Sequence, residues 1–361
     1  GDYLNSDNDV VAFSSVASAV PTSVVVGKST FQAGSLQNDK SYVSTIRSYP
    51  INIEVRGVKT YTKAMGSSIG GMGSSPGSQS NITLEISNSF VLLPQQPMRQ
   101  RLYDNRVGFY YRSYTDFDQN PQRVESNNMT IRWRMEPREE DMAKYLRGEL
   151  VEPKKPIVFY IDPATPKKWV PYLLMGIKDW QKAFEKAGFK NAITGKEAPV
   201  NDPEWSLEDA RYSAIVYKPS SIENAYGPSV TDPRSGEIIE SHIGWFHNVM
   251  KLLHNWYFIQ TAAVDPRARK MQYDDELMGQ LIRFVCAHEV GHTLGLAHNF
   301  GSSSSVPVEN LRNKAWVETN GHTPSIMDYA RFNYVAQPED NISVKGLFPR
   351  IGDYDEWAIE W

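Results

Sequence analysis

The sequence predicts an α+β protein in two parts. Residues 1–150 read as a mostly antiparallel β domain, and 151–361 as strands, a backing helix and a second helix that carries the chemistry. Three observations support this. The first part is rich in Ser, Thr, Val, Tyr and Asn and contains period-two runs such as Ile51-Asn52-Ile53-Glu54-Val55-Arg56 and Ile82-Thr83-Leu84-Glu85-Ile86, the pattern of strands with one buried face. Glu152-Pro153-Lys154-Lys155-Pro156 then punctuates the chain and opens a different texture. Finally, a helical stretch ends in H-E-V-G-H-T-L-G-L-A-H at 288–298.

The elements follow in order. Between the two alternating runs, GSSIGGMGSSPGS (66–78) is too polar to pack and reads as a long mobile hairpin loop. Further strands are expected near 107–115 and 128–135. Ile157-Val158-Phe159-Tyr160-Ile161 is a continuous apolar run, the mark of a strand buried on both faces. One long amphipathic helix should follow, with Trp169, Leu173, Ile177, Trp180, Phe184 and Ala187 on one face and Gly188 at its end. Strands are expected at 213–217 and 237–246, the second after the turn Asp232-Pro233-Arg234-Ser235-Gly236, and a helix at 247–262. Trp256-Tyr257-Phe258 is expected in the core. The last long helix should start at Asp274 or Asp275 and carry Leu281, Val285, His288 and His292 on one face.

The chemistry sits at the end of that helix. His288 and His292 lie four apart, so both imidazoles leave one helical face about a turn apart and can share a metal ion. Glu289, beside the first ligand, is placed to accept a proton from water held by that metal. Gly295 can adopt positive φ, stopping the helix and turning His298 back as a third ligand. Three imidazoles leave zinc one open position, the catalytic arrangement. Five fixed positions make this pattern far more specific than a bare H-E-x-x-H.

Downstream, Ser325-Ile326-Met327-Asp328-Tyr329 has the form of a Met-turn. The two motifs together resemble the metzincin clan of zinc peptidases. The stretch from about Lys155 to Trp361 is similar to a bacterial family related to the EcxA-type proteases, through PKKPIVFYIDPATPKKW (153–169), DPRSGEI (232–238), the zinc motif and TPSIMDYARFNYVAQPED (323–340). The resemblance implies a twisted mixed sheet, Zn2+ on His288, His292 and His298, Glu289 as general base, Met327 beneath the metal and Tyr329 as a residue that steadies the tetrahedral intermediate. It implies an extended peptide substrate paired with an edge strand, for which 237–246 is the candidate. Residues 299–324, loosened by Ser302 to Ser305, would wall the pocket for the residue after the cut bond. An extracytoplasmic location, periplasmic, surface-held or secreted, is implied as well. Asn299 after the third histidine departs from the best-known subfamilies, so their specificity rules do not transfer.

The expected function is therefore zinc-dependent endopeptidase. A non-peptidase zinc amide hydrolase and a latent or non-catalytic surface binding protein are the alternatives, and retention of Glu289 beside three ligands speaks against mere metal storage. A net charge of −4 without basic runs argues against a nucleic-acid partner. No apolar stretch approaches the ~18 residues that span a bilayer. GDYLNSDNDVVAF and EWAIEW start and stop abruptly, so the chain is expected to be a piece of a longer one and the missing leader carries no weight. The single Cys286 rules out an intrachain disulfide and should point away from the ligands, as core packing. His242, His247 and His254 are expected as ordinary buried or boundary residues, whereas His322 is a candidate to line the cleft. Asp104 is a candidate latency residue that would block the metal. The sequons at Asn81, Asn128 and Asn341 are read as coincidences.

Overall fold

The two alternating runs do pair. The structure, a computed structural model, describes residues 33–63 and 81–361; the chain start and the loop expected at 66–78 lie outside them. In the first unit β1 (Ala33–Leu36), β2 (Tyr42–Ser48), β3 (Asn52–Lys63) and β4 (Asn81–Val91) form one antiparallel sheet. β3 is central and pairs with β4 along its length, Ile53 opposite Phe90 and Gly57 opposite Ile86. In β4 the apolar side is the more buried one, Ile86 above all, as expected, but β3 departs from its alternation. Ile53 is exposed, whereas Asn52, Glu54 and Val55 are buried. Hydrogen bonds explain this: Asn52 donates to Glu54 at 2.8 Å and to the Glu208 carbonyl at 2.8 Å, and accepts the Ala210 amide at 3.0 Å. A satisfied polar pair can be buried where an unsatisfied one could not.

By packing, the first compact unit runs to Leu93 and takes in Glu208–Ala210, and the second comprises Pro94–Leu207 and Arg211–Trp361. Composition changes at Glu152, but packing does not, because residues 107–132 hydrogen-bond within the later chain. Tyr110 N donates to Gly295 O at 2.7 Å, Ala297 N to Gly108 O at 2.8 Å, and Arg132 N to Gly236 O at 3.0 Å. Strands β5 (Tyr111–Asp116) and β6 (Glu125–Thr130) form a separate two-stranded ladder. The main sheet uses β7 (Ile157–Ile161), β8 (Ile193–Glu197), β9 (Ser213–Lys218), β10 (Ala225–Tyr226), β11 (Ser229–Thr231) and β12 (Ile238–Phe246). Its order is β10-β12-β9-β7-β8. The four longer strands are mutually parallel, while β10 and β11 run antiparallel to β12. β7 buries Ile157, Phe159 and Ile161 completely but Val158 and Tyr160 only partly, so one face rather than two is core.

Two further expectations need correction. The segment 238–246 is not an edge: 225–231 pairs along its outer side and takes that place. The backing helix is broken into α1 (Val170–Lys178) and α2 (Gln181–Lys186). At Trp180 the backbone ladder shifts to Ile177 O, three residues back, while Asp179 turns out to clasp Arg283 at 2.6 and 2.7 Å. The indole and the carboxylate both reach the motif helix, and the helical stripe alone could not reveal that. Trp169, Leu173, Ile177, Trp180 and Phe184 are nevertheless buried as expected, and Gly188 ends the segment at φ +91°. Helix α3 (Val249–Thr261) and the motif helix α4 (Asp275–Thr293) complete the layer. No helix among the described residues is long and apolar enough to cross a membrane.

Candidate metal centre

Helix α4 starts where the Asp274 carboxylate accepts the Leu277 amide at 2.9 Å, satisfying one of the amides that a helix start leaves orphaned. From Leu281 to Thr293 every residue except Arg283 and His292 is buried, so this is a core helix rather than a one-sided one. Cys286 points away from the ligands, and its thiol donates to Leu173 O at 3.3 Å. Burial pushes that thiol well above its usual range.

The helix stops in a Schellman turn. Gly295 takes φ +101°, its amide donates to His292 O and the Leu296 amide to Gly291 O, both at 3.0 Å. A Cβ at Gly295 would also lie 2.2 Å from Ile131 O, so the position excludes side chains on two grounds. The turn brings His298 to His292, Nε2 to Nε2 at 3.1 Å. Candidate ligand atoms of His288, His292 and His298 all lie within 4.8 Å of one another, and they are the one such group among the described residues.

Each helical ligand is oriented from behind. His288 Nδ1 donates to Ile326 O and His292 Nδ1 to Leu296 O, both at 2.8 Å. That fixes the tautomer leaving each Nε2 lone pair free for a metal. Burial holds His288 down at about 3 and His292 at about 4, and lowers His298 too, so the imidazoles are neutral at pH 7. Two nitrogens sharing a tetrahedral zinc at ~2.0–2.1 Å sit about 3.4 Å apart, close to the His292–His298 separation. The donor set fits a first-row dication such as zinc. Replacing His298 with alanine should weaken zinc binding by about 100-fold or more, since even supporting residues contribute 10–100-fold. Unchanged zinc content after dialysis, read by atomic absorption, would break the three-histidine assignment.

Glu289 is 7% exposed, and its Oε2 has no hydrogen-bond partner among the described residues. Burial pushes its carboxyl up to about 8. An orphaned buried carboxyl beside three converging imidazoles is what a proton acceptor for a metal site requires. Below the ligands Met327 is fully buried, and Gly291 makes room for it: a Cβ there would lie 2.3 Å from Met327 Sδ.

The turn that holds Met327 is tied down from both sides. Asp355, in α5 (Asp353–Glu360), accepts Ser325 Oγ at 2.7 Å, the Ile326 amide at 2.7 Å and the Gly352 amide at 2.9 Å. Asp328 accepts the Ser303 amide, Thr323 Oγ1 and the Ala330 amide. Ser303–Ser305 form a short 3-10 turn, with the Ser304 hydroxyl donating to Gly301 O at 2.6 Å and the Ser305 hydroxyl to Ser302 O at 2.8 Å.

Tyr329 stands over the ligands, its ring 4.4 Å from that of His298 and 5.6 Å from that of His288. Burial raises its phenol, which stays a donor at neutral pH. Sequence reasoning missed a second tyrosine, Tyr110, whose hydroxyl is 3.3 Å from His292 Nδ1. It also missed Trp133, whose indole donates to Thr293 O at 2.8 Å. Nothing in RLYDNRVGFYY announces a partner so far along the chain. Trp256 packs against the core while also lining a pocket beside Glu289, Phe258 is half-exposed, and only Tyr257 is fully buried.

The remaining histidines have other partners. His242 Nε2 donates to Tyr212 O at 3.0 Å, and His254 Nε2 to Lys270 O at 3.1 Å. His247 is exposed and bonds the Tyr217 hydroxyl. His322 is buried, with Nε2 donating to Arg331 O at 2.8 Å, so it supports the cleft without lining it. Asp104 is claimed by Arg106 through its amide and guanidinium, which hold the carboxyl down at about 2.

A mixed sheet, a core helix and three converging imidazoles make up a site that could hold a metal ion. Residues 270–361 match the family model described as Met-zincin, and residues 2–138 match one described only as a domain of unknown function. No curated protein and no solved structure matches. Over these residues the chain carries a metzincin-like domain, and His288, His292 and His298 cluster within it as a group that could hold a metal ion.

Proposed function

We propose that this protein is a zinc-dependent endopeptidase, of a branch similar to the EcxA-type proteases. The observation that carries the reading is the buried Glu289 carboxyl, its Oε2 without a partner among the described residues, beside three neutral imidazoles of which two are back-bonded. Zinc held there supplies Lewis acidity and lowers the pKa of water towards ~7. Glu289 takes the proton of the attacking water and delivers it to the leaving nitrogen. The Tyr329 hydroxyl, kept protonated by burial, donates to the carbonyl oxygen as charge develops there. An extended substrate adds to the outer edge formed by 225–231 through main-chain hydrogen bonds. Gly227 lies on that segment against the motif helix, where a Cβ would be 2.9 Å from Glu289 O. By resemblance the protein works outside the cytoplasm.

The test is a cleavage profile on a diverse peptide library with zinc-loaded and chelator-stripped protein. Cleavage that disappears on stripping and returns with zinc supports the reading. If zinc-loaded protein cuts no peptide but hydrolyses cell-wall or small-molecule amides, the endopeptidase reading is wrong and the amide-hydrolase one replaces it.

A further inference from the structure

Beside Glu289 lies a small pocket that also reaches Trp256, Asp328, Tyr329 and Arg331. We propose that Arg331 is a specificity residue of this cleft and receives a substrate carboxylate next to the bond to be cut. This deepens the peptidase reading and rests on it.

The Arg331 guanidinium lies 4.0 Å above the Trp256 ring and 5.3 Å from that of Tyr329. The two faces fix its plane and leave its edge, where all the N–H donors are, to something else. Nothing in the described residues takes them. Among the described residues its buried Nε has no hydrogen-bond partner. Asp328, the nearest lining acid in sequence, is already committed to Ser303, Thr323 and Ala330. A buried guanidinium donor left unpaired is costly, and a planar fork matches a carboxylate in two parallel bonds.

Backbone and volume agree. Arg331 adopts φ +54°, a left-handed conformation that side chains rarely take, and the His322 bond to its carbonyl holds it there. The cavity is about 40 Å³, room for about three waters, which suits a carboxylate and not an aromatic ring. The carboxylate has two sources: an Asp or Glu flanking the scissile bond, or the free C-terminus of a short peptide.

The test measures binding without turnover. Zinc-loaded Glu289→Gln protein is titrated with labelled peptides in which one Asp is walked along a neutral sequence. Each has an Asn twin, and each is made as free acid and as amide. At one position Asp should bind about 10- to 100-fold tighter than Asn. Added Arg331→Gln should bring that ratio to about one, and Arg331→Glu should invert it in favour of Lys, which a misfolded cleft could not do. If the ratio appears between acid and amide ends instead, the C-terminus is the source. No preference of either kind, or the same preference without Arg331, overturns the proposal. The two readings fail separately. Arg331-dependent binding with no cleavage by the wild type removes the peptidase but keeps the carboxylate site, whereas cleavage indifferent to acid does the reverse.

Discussion

Replacing Glu289 with alanine should leave zinc bound while kcat/KM on any cleaved peptide falls about 10²- to 10⁴-fold. The metal should stay because its three ligands are oriented by groups other than Glu289: Ile326 O behind His288, Leu296 O behind His292, and the Gly295 turn behind His298. The rate should fall because no second carboxylate replaces the base; Asp328 is fully engaged in holding its own loop. Stability should rise or stay level, since the substitution removes a carboxyl that burial already disfavours when charged. Zinc content by atomic absorption and rates on the best library peptide read both parts. An alanine variant with wild-type rates would remove Glu289 from the mechanism.

Asp355→Ala should have the largest structural effect, about 2–4 kcal/mol of lost stability. It would strand the Ser325 hydroxyl and the Ile326 and Gly352 amides, each worth ~1–3 kcal/mol when left buried and unmade, partly offset by removing a carboxyl that burial pushes up to about 6. The Ile326 backbone is held at both ends: its amide donates to Asp355 and its carbonyl orients His288. Zinc affinity should therefore drop about tenfold together with the thermal midpoint. Lost stability with unchanged zinc affinity would show that Asp355 holds the fold without positioning the ligand.

What the sequence could and could not disclose follows from the range of the interactions. His288, Glu289, His292, Gly295 and His298 lie within eleven consecutive positions, so local helical geometry alone brings them together. Met327 was recognisable by form, and β7, β9, α3 and α4 by periodicity and caps. The residues that complete the site come from far away and carry no local pattern: Tyr110 and Trp133 from upstream, Asp355 from the last helix. β8 is short and interrupted by Gly195, and β10 and β11 are too brief to show any alternation. The break at Trp180 is invisible in the apolar stripe, and what accompanies it is tertiary: the indole donates to Ala287 O at 2.7 Å. Arg331 looked like any surface arginine, since nothing in the sequence marks its left-handed backbone.

The ties from Gly108, Tyr110, Ile131 and Trp133 to the end of the motif helix bear on where such a chain could be cut without disturbing the three histidines. Many secreted peptidases are made as zymogens and released by clipping away an inhibitory leader. Here a clip anywhere between Gly108 and the first strand of the main sheet would remove the strand-like partner on which the third histidine's turn rests. A cut that spares all of these ties falls upstream of Gly108.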